Sequence, residues 1–491
     1  MDTDVRHLPA IFNYVNFENE NLSFGLFSIL AICVFMLGAN VMRRKVPVLR
    51  RALMPTAVIA GLSGLALREA ILAFTGINIL STVALSGLIY HLLPIAFIAL
   101  CLREKNGYTE EFNRVKVKQE RVTAARSGAV IISTYLFQGL IGISVSLLIG
   151  LTILPQLNPG TGIMLALGFG QGPQQANAAG YIWDAAGYMD AWGAGSARNF
   201  GLTIAAMGFL WASIPGIILI NRIAKKKGIK IQRDEFQKSG SLASYLVEEP
   251  GEVPLSESID KFSLQICMVG GVYFATICVI IGIEMLFRMS GSVFLIDLVP
   301  TIWGFAFMIA ALIALLTKMI LRHLVKSGVM HRKYPNSYMM NRISGAAFDM
   351  AIVAALCSIS IGMLGSLWIP VIIMTTAGGL GCMLYLRFLC NRVYKDYQDE
   401  AFLAMYGMLV GTIVNGMILL REVDSEFKTP AGDDLVLGSS AAIALGIPVL
   451  LLIAQAPRAG NLWWVMLVIA LYFIALVTFA LKSSKKKADA G

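Results

Sequence analysis

The chain has 491 residues, of which 57% are hydrophobic and 14% charged, with a mean hydropathy of +0.71 and a formal net charge of +10. Soluble cores cannot hide that much apolar surface, so the composition predicts an all-α polytopic membrane protein and excludes an ordinary soluble domain. The basic residues cluster beside apolar runs, where they set topology and meet lipid headgroups, and they give no indication of nucleic-acid binding. The seven cysteines and four histidines show no ligand spacing, so we expect no metal cofactor held by them.

The first half of the chain contains five apolar runs that are long enough to cross a bilayer. Basic clusters at 43–51 and 225–227 follow the first and the fifth of these runs. The positive-inside rule therefore places the N-terminus outside a cell membrane and both clusters in the cytoplasm. The predicted spans are Leu22–Val41, Leu53–Phe74, Val83–Leu102, Ser127–Leu154 and Phe200–Ile220.

A polar stretch at 221–261 is the only sizeable linker and divides the chain into two repeats, residues 1–220 and 262–456. The second repeat starts in the cytoplasm and follows the same order of elements. One extra apolar run, within residues 457–491, returns the basic C-terminus to the cytoplasm. The predicted spans are Phe262–Phe287, Ser292–Lys318, Ser344–Leu367, Ile369–Cys390, Leu435–Ala454 and Leu462–Leu481.

Each half also contains one apolar stretch that is interrupted, at residues 160–180 and 400–422. Both stretches carry glycines and amides where a spanning helix would carry apolar residues. Bare backbone survives at membrane depth only where protein or a watery cavity surrounds it. We therefore predict two re-entrant hairpins, the first entering from outside and the second from the cytoplasm. A surface loop rich in glycine and glutamine is the alternative for the first stretch.

The count of five spans in each half is odd, which forces the halves into opposite orientations and predicts an inverted repeat. The interrupted stretches can be laid over each other, Gly168 on Gly407 and Gly172 on Gly411. A Gly-x-x-x-Gly spacing is common wherever helices pack closely, but its recurrence at equivalent places favours a repeat. The predicted architecture is an inverted repeat of about five transmembrane helices each, with two opposed re-entrant hairpins and one extra C-terminal helix.

Glycines and amides define the predicted site. Hairpin tips present free N–H groups that suit a carboxylate, while unwound carbonyls and amide oxygens suit a dehydrated sodium ion, the expected coupling ion. The glycines either shape the loops or pack helices, and the polar side chains either bind ligands or tie the hairpins to neighbouring helices. The candidates are Gly168, Gly170, Gln171, Gly172, Gln174, Gln175, Asn177, Gly407, Gly411, Thr412 and Asn415, with sodium assigned to Asn177, Thr412 and Asn415.

Two charged residues have open interpretations. Arg421 follows the second interrupted stretch and could pair bidentately with a substrate carboxylate, or with Glu422 or Asp424 at the cytoplasmic surface. Asp349 lies within a predicted span and is either a cation or proton site or a partner for Arg342.

Motifs in both halves resemble one known family. The first half has Phe169-Gly170-Gln171-Gly172, then the run 201–209 and Pro215-Gly216. Further matching positions are Pro47, Leu49, Pro55, Gly61, Tyr397, Glu400, Ala401, Gly407, Gly411, Asn415 and Val423. The family is that of the bacterial sodium/glutamate symporters, and the resemblance covers most of the chain with few specific motifs.

The resemblance implies a secondary transporter in which two opposed re-entrant loops meet near the middle of the bilayer. It further implies a core that moves against a dimerising scaffold in an alternating-access cycle. This chain differs from the family pattern at the predicted site itself. Gln171 stands where the family usually has histidine, Pro173 where it has threonine, and Ile413 and Val414 replace a Thr-Pro pair.

The first functional hypothesis is a sodium-coupled symporter for glutamate or a related carboxylate or amino acid. The protein would form a homodimer in the plasma membrane. The alternative is a proton-coupled carrier of another organic anion or amino acid, in which Asp349 or Asp184 would titrate. An enzyme is not expected, because no paired aspartates, serine nucleophile or metal-ligand set lies at membrane depth. A channel is disfavoured by the two opposed interruptions.

Overall fold

The computed structural model describes residues 20–47, 49, 53–103, 114–228, 261–330, 334–424, 429–458 and 460–488. Within these ranges the regular secondary structure is helical and contains no β-strand. Ten of the described helical segments are long and apolar enough to cross a membrane. The all-α polytopic class that the composition predicts is confirmed.

The α-helices of the described residues are numbered here in chain order. Short 3₁₀ or π-helical segments at Pro159–Ile163, Ala166–Gln171, Asp190–Trp192 and Gly362–Leu367 connect some of them. The helices are α1 Glu20–Lys45, α2 Thr56–Thr75, α3 Thr82–Leu102, α4 Arg114–Thr152, α5 Pro173–Ala185, α6 Ser196–Lys227, α7 Lys261–Met289, α8 Val293–Gly304, α9 Ala306–Lys326, α10 Ser337–Cys357, α11 Trp368–Val393, α12 Gln398–Val410, α13 Ile413–Arg421, α14 Ala431–Gln455 and α15 Leu462–Ala488.

Two predicted spans are divided or end early in the structure. The span predicted over Ser292–Lys318 is divided at Phe305 into α8 and α9, and Pro300, which lacks an N–H group, lies inside α8. The span predicted over Ser344–Leu367 ends already at Cys357. A 3₁₀ segment follows, in which Gly365 has φ 45° and ψ −124°, a conformation that suits glycine.

The end of α10 has a specific partner. The buried guanidinium of Arg68 on α2 donates to the carbonyl oxygens of Cys357 and Ile359, each at 2.6 Å. The last carbonyls of a helix have no partner within the helix, and a cation there also opposes the negative end of the helix dipole. Arg68 therefore stabilises the termination of α10 at the point where the sequence predicted a continuing span.

The predicted linker 221–261 begins later than expected, because α6 continues to Lys227. Residues 229–260 of that linker lie outside the described residues. The chain forms two compact units, and both draw on the two sequence halves. The first unit comprises Met1–Leu85, Asn113–Arg233 and Ala355–Gly491, and the second comprises Ser86–Phe112 and Asp234–Ala354.

The second unit has an apolar core to which Ile98, Val269, Ala310 and Met340 contribute. Polar side chains in this unit pair with one another. His91 Nδ1 lies 2.8 Å from the hydroxyl of Tyr273. Glu284 accepts hydrogen bonds from the Trp303 indole and the Arg288 guanidinium, both at 2.8 Å.

The first unit is built around α4, which packs against α11, α14 and α15. About a third of the way along α4 lies a buried polar cluster. The Asp434 carboxylate accepts hydrogen bonds from Ser127 at 2.8 Å and from the hydroxyl of Tyr397 at 2.5 Å. Arg126 lies 3.9 Å from the same carboxylate and stacks over the ring of Tyr394. Because a buried carboxylate is costly without partners, this cluster fixes the start of α14 and the Arg126–Ser127 part of α4 next to the end of α11.

Replacement of Tyr397 by phenylalanine tests this cluster. Tyr397→Phe removes one hydrogen bond from a buried carboxylate and should cost about 1–3 kcal/mol of stability. The readout is the apparent melting temperature of the purified protein in detergent. Tyr181→Phe is the matched control, because the side chain of Tyr181 is 60% exposed. Equal melting temperatures for the two variants would contradict a stabilising role of the cluster.

Candidate substrate and ion site

Helix α6 organises the site within the first unit. It contains 32 residues, which corresponds to a length of about 48 Å. At its start, the carboxylate of Asp184 near the end of α5 accepts hydrogen bonds from the backbone N–H of Ala197 at 2.8 Å and from Nε of Arg198 at 2.8 Å. Asp184 thereby satisfies an N–H group of the first turn of α6. The end of α5 is held at the start of α6.

The other end of α6 holds the start of α12. Lys226 lies 3.1 Å from the buried carboxylate of Asp399, and Lys227 lies 2.5 Å from that of Glu400. Arg387 from the last turns of α11 also contacts Asp399, at 2.5 Å. The two acidic residues lie in the first turn of α12, where the helix dipole favours negative charge. The second interrupted stretch therefore starts at the lysine-rich end of α6.

Contacts along α6 show where the two stretches meet. Gly201 lies against Ala176 of α5, nearer the start of α6. Gly208 lies between Phe169 of the first stretch and Val410 of the second, and a Cβ there would come within 2.5 Å of the Val410 carbonyl oxygen. The two interrupted stretches approach α6 from opposite ends and meet near its centre.

Both stretches contain a break in their helices close to this meeting point. The π-helical segment Ala166–Gln171 ends at Gly172, whose φ of 93° is accessible to glycine and strained for other residues. Helix α5 then begins at Pro173, with the proline at a position that needs no N–H group. In the second stretch, α12 ends at Val410 and α13 begins at Ile413. The sequence comparison aligned Gly172 with Gly411. In the structure, each of these two glycines lies at a helix break.

Neither new helix has a capped N-terminus. Gly172 and Thr412 occupy the capping positions of α5 and α13, and no side-chain hydrogen bond is made from either. The first N–H groups of a helix lack partners within the helix and carry a partial positive charge. Two such groups of donors near the centre of α6 are suited to a small anion.

Gln138 of α4 connects the two stretches, and sequence reasoning did not select it. Its side chain is fully buried, and Nε2 donates to the carbonyl oxygen of Leu409 in α12 at 2.7 Å. Its Oε1 accepts no hydrogen bond from the described residues and lies 2.8 Å from the position that a Cβ on Gly170 would occupy. Tyr135, one turn earlier on α4, packs its ring against the same glycine. The signal in the sequence was a single amide in the middle of an apolar span.

The amides after the first break are all buried. Gln174 folds back toward the break, and its Oε1 lies 3.1 Å from the position of a Cβ on Gly172. The side-chain oxygens of Gln175 and Asn177 accept no hydrogen bond among the described residues. A buried acceptor without a donor costs free energy that a bound cation or donor would recover. Their oxygen chemistry fits a sodium ion, as proposed from the sequence for Asn177.

The polar residues of the second break contact each other. The Thr412 hydroxyl donates to Oδ1 of Asn415 at 2.8 Å. This bond agrees with the alternative in which these side chains stabilise the hairpin itself. Gly407 packs against Gly416 and brings α12 and α13 together as antiparallel neighbours, whereas Gly168 packs against Ile204 of α6. Gly407 and Gly168 therefore allow close helix packing.

Arg421 is not brought to the second break. Arg421 lies in the last turn of α13, about 12 Å along the helix from its start. Asp424 accepts hydrogen bonds from the backbone and the hydroxyl of Thr429, at 2.9 and 2.6 Å. Asp349 is half-buried in the second unit. The guanidinium of Arg342 stacks on Tyr338, and no ion pair with Asp349 occurs among the described residues.

No protein-family model, no curated protein and no solved structure matches this chain. The interpretation of the site therefore depends on its residues and their geometry.

Gly208 provides a test of the meeting point. Gly208→Ala places a methyl group against the Val410 carbonyl and should cost about 1–3 kcal/mol through overpacking, measured as a lower apparent melting temperature. Gly282→Ala in α7 is the control, because a Cβ there meets no atom within 4 Å. Alanine at that helical position should be neutral or stabilising. A Gly208→Ala protein as stable as the control would show that the two stretches do not pack closely at α6.

The ion pairs of Asp399 predict a pH dependence. Burial would raise the pKa of the Asp399 carboxyl, but hydrogen bonds from Arg387 and Lys226 hold it below its ordinary value. The pairs therefore contribute fully above the unfolded pKa of about 3.9, and the contribution is lost as the pH falls through the lower folded value. The unfolding temperature of the native protein should fall on acidification in this range more steeply than that of Asp399→Asn. Asp190→Asn, at an exposed position, should keep the native profile, and parallel profiles for the native protein and Asp399→Asn would contradict the assignment.

Proposed function

We propose that the protein is a secondary active transporter that carries a small carboxylate or amino acid together with sodium. The observation that carries this proposal is that two helix breaks, each followed by a helix without a side-chain cap, lie close together beside α6 on stretches that approach it from opposite ends. Broken helices of this kind line substrate and ion sites in transporters, because protein or water can satisfy their free backbone groups there. The resemblance of both stretches to sodium/glutamate symporters points to the same class.

In this proposal the two stretches are re-entrant hairpins of an inverted repeat. The first lies between α4 and α6, and the second lies between α11 and α14, which are the equivalent helices of the two halves. The ion pairs of Asp184 and Asp399 at opposite ends of α6 support entry from opposite sides. The lysine-rich end of α6 faces the cytoplasm under the positive-inside rule, which puts the N-terminus outside and the C-terminus inside a plasma membrane.

Sodium is favoured as the coupling ion by the buried amide oxygens of Gln175 and Asn177, which have no donor among the described residues. A proton would need a titrating carboxylate. Burial raises the pKa of Asp184, although Arg198 opposes the shift, and this carboxylate already satisfies the start of α6. Asp349, half-buried and without an ion pair among the described residues, keeps a proton-coupled carrier as the second candidate.

The first unit contains both stretches and would form the transport core. The resemblance implies that such a core moves against a scaffold, which would dimerise, so that the site faces the two sides of the membrane alternately. No covalent chemistry is required, because the ion gradient supplies the free energy of accumulation. Through its hydrogen bond to the Leu409 carbonyl oxygen, Gln138 would keep the two breaks next to each other during this movement.

Uptake into proteoliposomes tests the proposal with no single substrate chosen beforehand. The purified protein is reconstituted and offered a uniformly labelled mixture of amino acids under an inward sodium gradient, an inward proton gradient or no gradient. We expect accumulation with the sodium gradient only, and mass spectrometry of the lumen identifies the substrate.

Two variants sharpen this experiment. Gln138→Leu, which keeps the side chain's size and removes both polar atoms, should reduce sodium-driven uptake by about tenfold or more because it leaves the Leu409 carbonyl unpaired at the site. Asp349→Asn should leave sodium-driven uptake unchanged. Uptake that follows the proton gradient and is abolished in Asp349→Asn would instead establish the proton-coupled alternative.

A further inference from the structure

The elements that form the two breaks carry no charge through their central parts. Residues 127–152, 160–183, 199–221 and 401–420 contain no Asp, Glu, Lys, Arg or His. The nearest charged residues lie at the outer ends of these ranges, at Arg126, Asp184, Arg198, Arg222, Glu400 and Arg421. These central parts of the first unit therefore supply no charged side chain to an anion at the breaks.

Helix N-termini supply the positive charge instead. Each N-terminus acts as about half an elementary charge, so α5 and α13 together match about one carboxylate. A second carboxylate would have no side-chain cation from these elements. Next to the first break, the buried Oε1 of Gln138 has no hydrogen-bond donor in the part of the chain that the structure describes. An acceptor in this position suits an ammonium group, which carries N–H donors.

The accessible side chains of the second break are apolar. Ile413 is 38% exposed and Val414 is 42% exposed, whereas the whole of α12 after its first residue is buried. Both residues belong to the first turn of α13, beside its free N–H groups. Once those N–H groups are occupied by one carboxylate, a second carboxylate against these alkyl side chains would lose water without gaining a charged partner, whereas an alkyl chain needs no partner. This surface favours an apolar substituent.

We infer that the site takes a neutral α-amino acid with an apolar side chain in preference to glutamate. This inference depends on the proposed transport function. The α-carboxylate binds the free N–H groups of α5 and α13, and the α-ammonium group donates to Oε1 of Gln138. The side chain of the substrate contacts Ile413 and Val414.

L-Norvaline and L-glutamate are suitable probes, because both have five carbons and differ in whether the chain ends in a methyl group or a carboxylate. In proteoliposomes with an inward sodium gradient, labelled L-norvaline at a sub-saturating concentration should enter at least about tenfold faster than labelled L-glutamate at the same concentration. Val414→Thr, which keeps the shape of the side chain and replaces one methyl group with a hydroxyl, should slow L-norvaline uptake severalfold. Ile474→Thr on α15, whose side chain is 58% exposed, should leave it unchanged.

Val414→Lys adds a cation where the inference places the apolar contact and should shift the uptake ratio toward L-glutamate. Sodium-driven uptake of L-glutamate that equals or exceeds that of L-norvaline in the native protein would overturn the inference and leave the transporter proposal intact. An unchanged uptake ratio in Val414→Lys would also overturn it. Absence of sodium-driven uptake for both probes and for the labelled amino-acid mixture would overturn the inference and the transporter proposal together.

Discussion

Backbone groups left without partners at two helix breaks are the constraint on which the rest of the first unit depends. In a bilayer, a free N–H or C=O group costs several kcal/mol unless protein, water or a ligand satisfies it. The chain meets this constraint by packing both breaks against α6 and by placing Gln138 between them, with Nε2 on the carbonyl of Leu409. Within the described residues, the donors at the starts of α5 and α13 have no side-chain cap, and the proposed function places the ligand at these donors.

Charge is concentrated at the ends of the elements that carry the breaks. Asp184 at one end of α6 and Asp399 at the other attach one stretch each, and Asp434 fixes the start of α14. Ion pairs are stable at such ends because water and helix termini lower the cost of burying them. The centre is left neutral, so under the proposed function a substrate there would interact with backbone dipoles and amides more than with charged side chains.

The sequence predicted the helical class, most span positions and both interruptions, because these follow from length, hydropathy and glycine content. Gly172 and Gly411 were assigned to breaks because glycine and amides are rare in a continuous span, and both lie at breaks in the structure. The end of α10 at Cys357 was not predicted, since it depends on Arg68 from a distant helix. Pairings of this kind are tertiary, and no local pattern contains them.

The difference between local sequence patterns and tertiary contacts also explains which site residues the sequence predicted. Gln174, Gln175 and Asn177 were selected from a local cluster of amides, and all three are buried next to the first break. Gln138 is isolated in α4, and its importance becomes visible only when Leu409 and Gly170 lie beside it. Arg421 was selected as the nearest cation in sequence to the second hairpin, yet α13 carries it away from the break. A helix converts eight positions of sequence into about 12 Å of distance, so a charge that is close in sequence to a hairpin tip need not be close to its ligand.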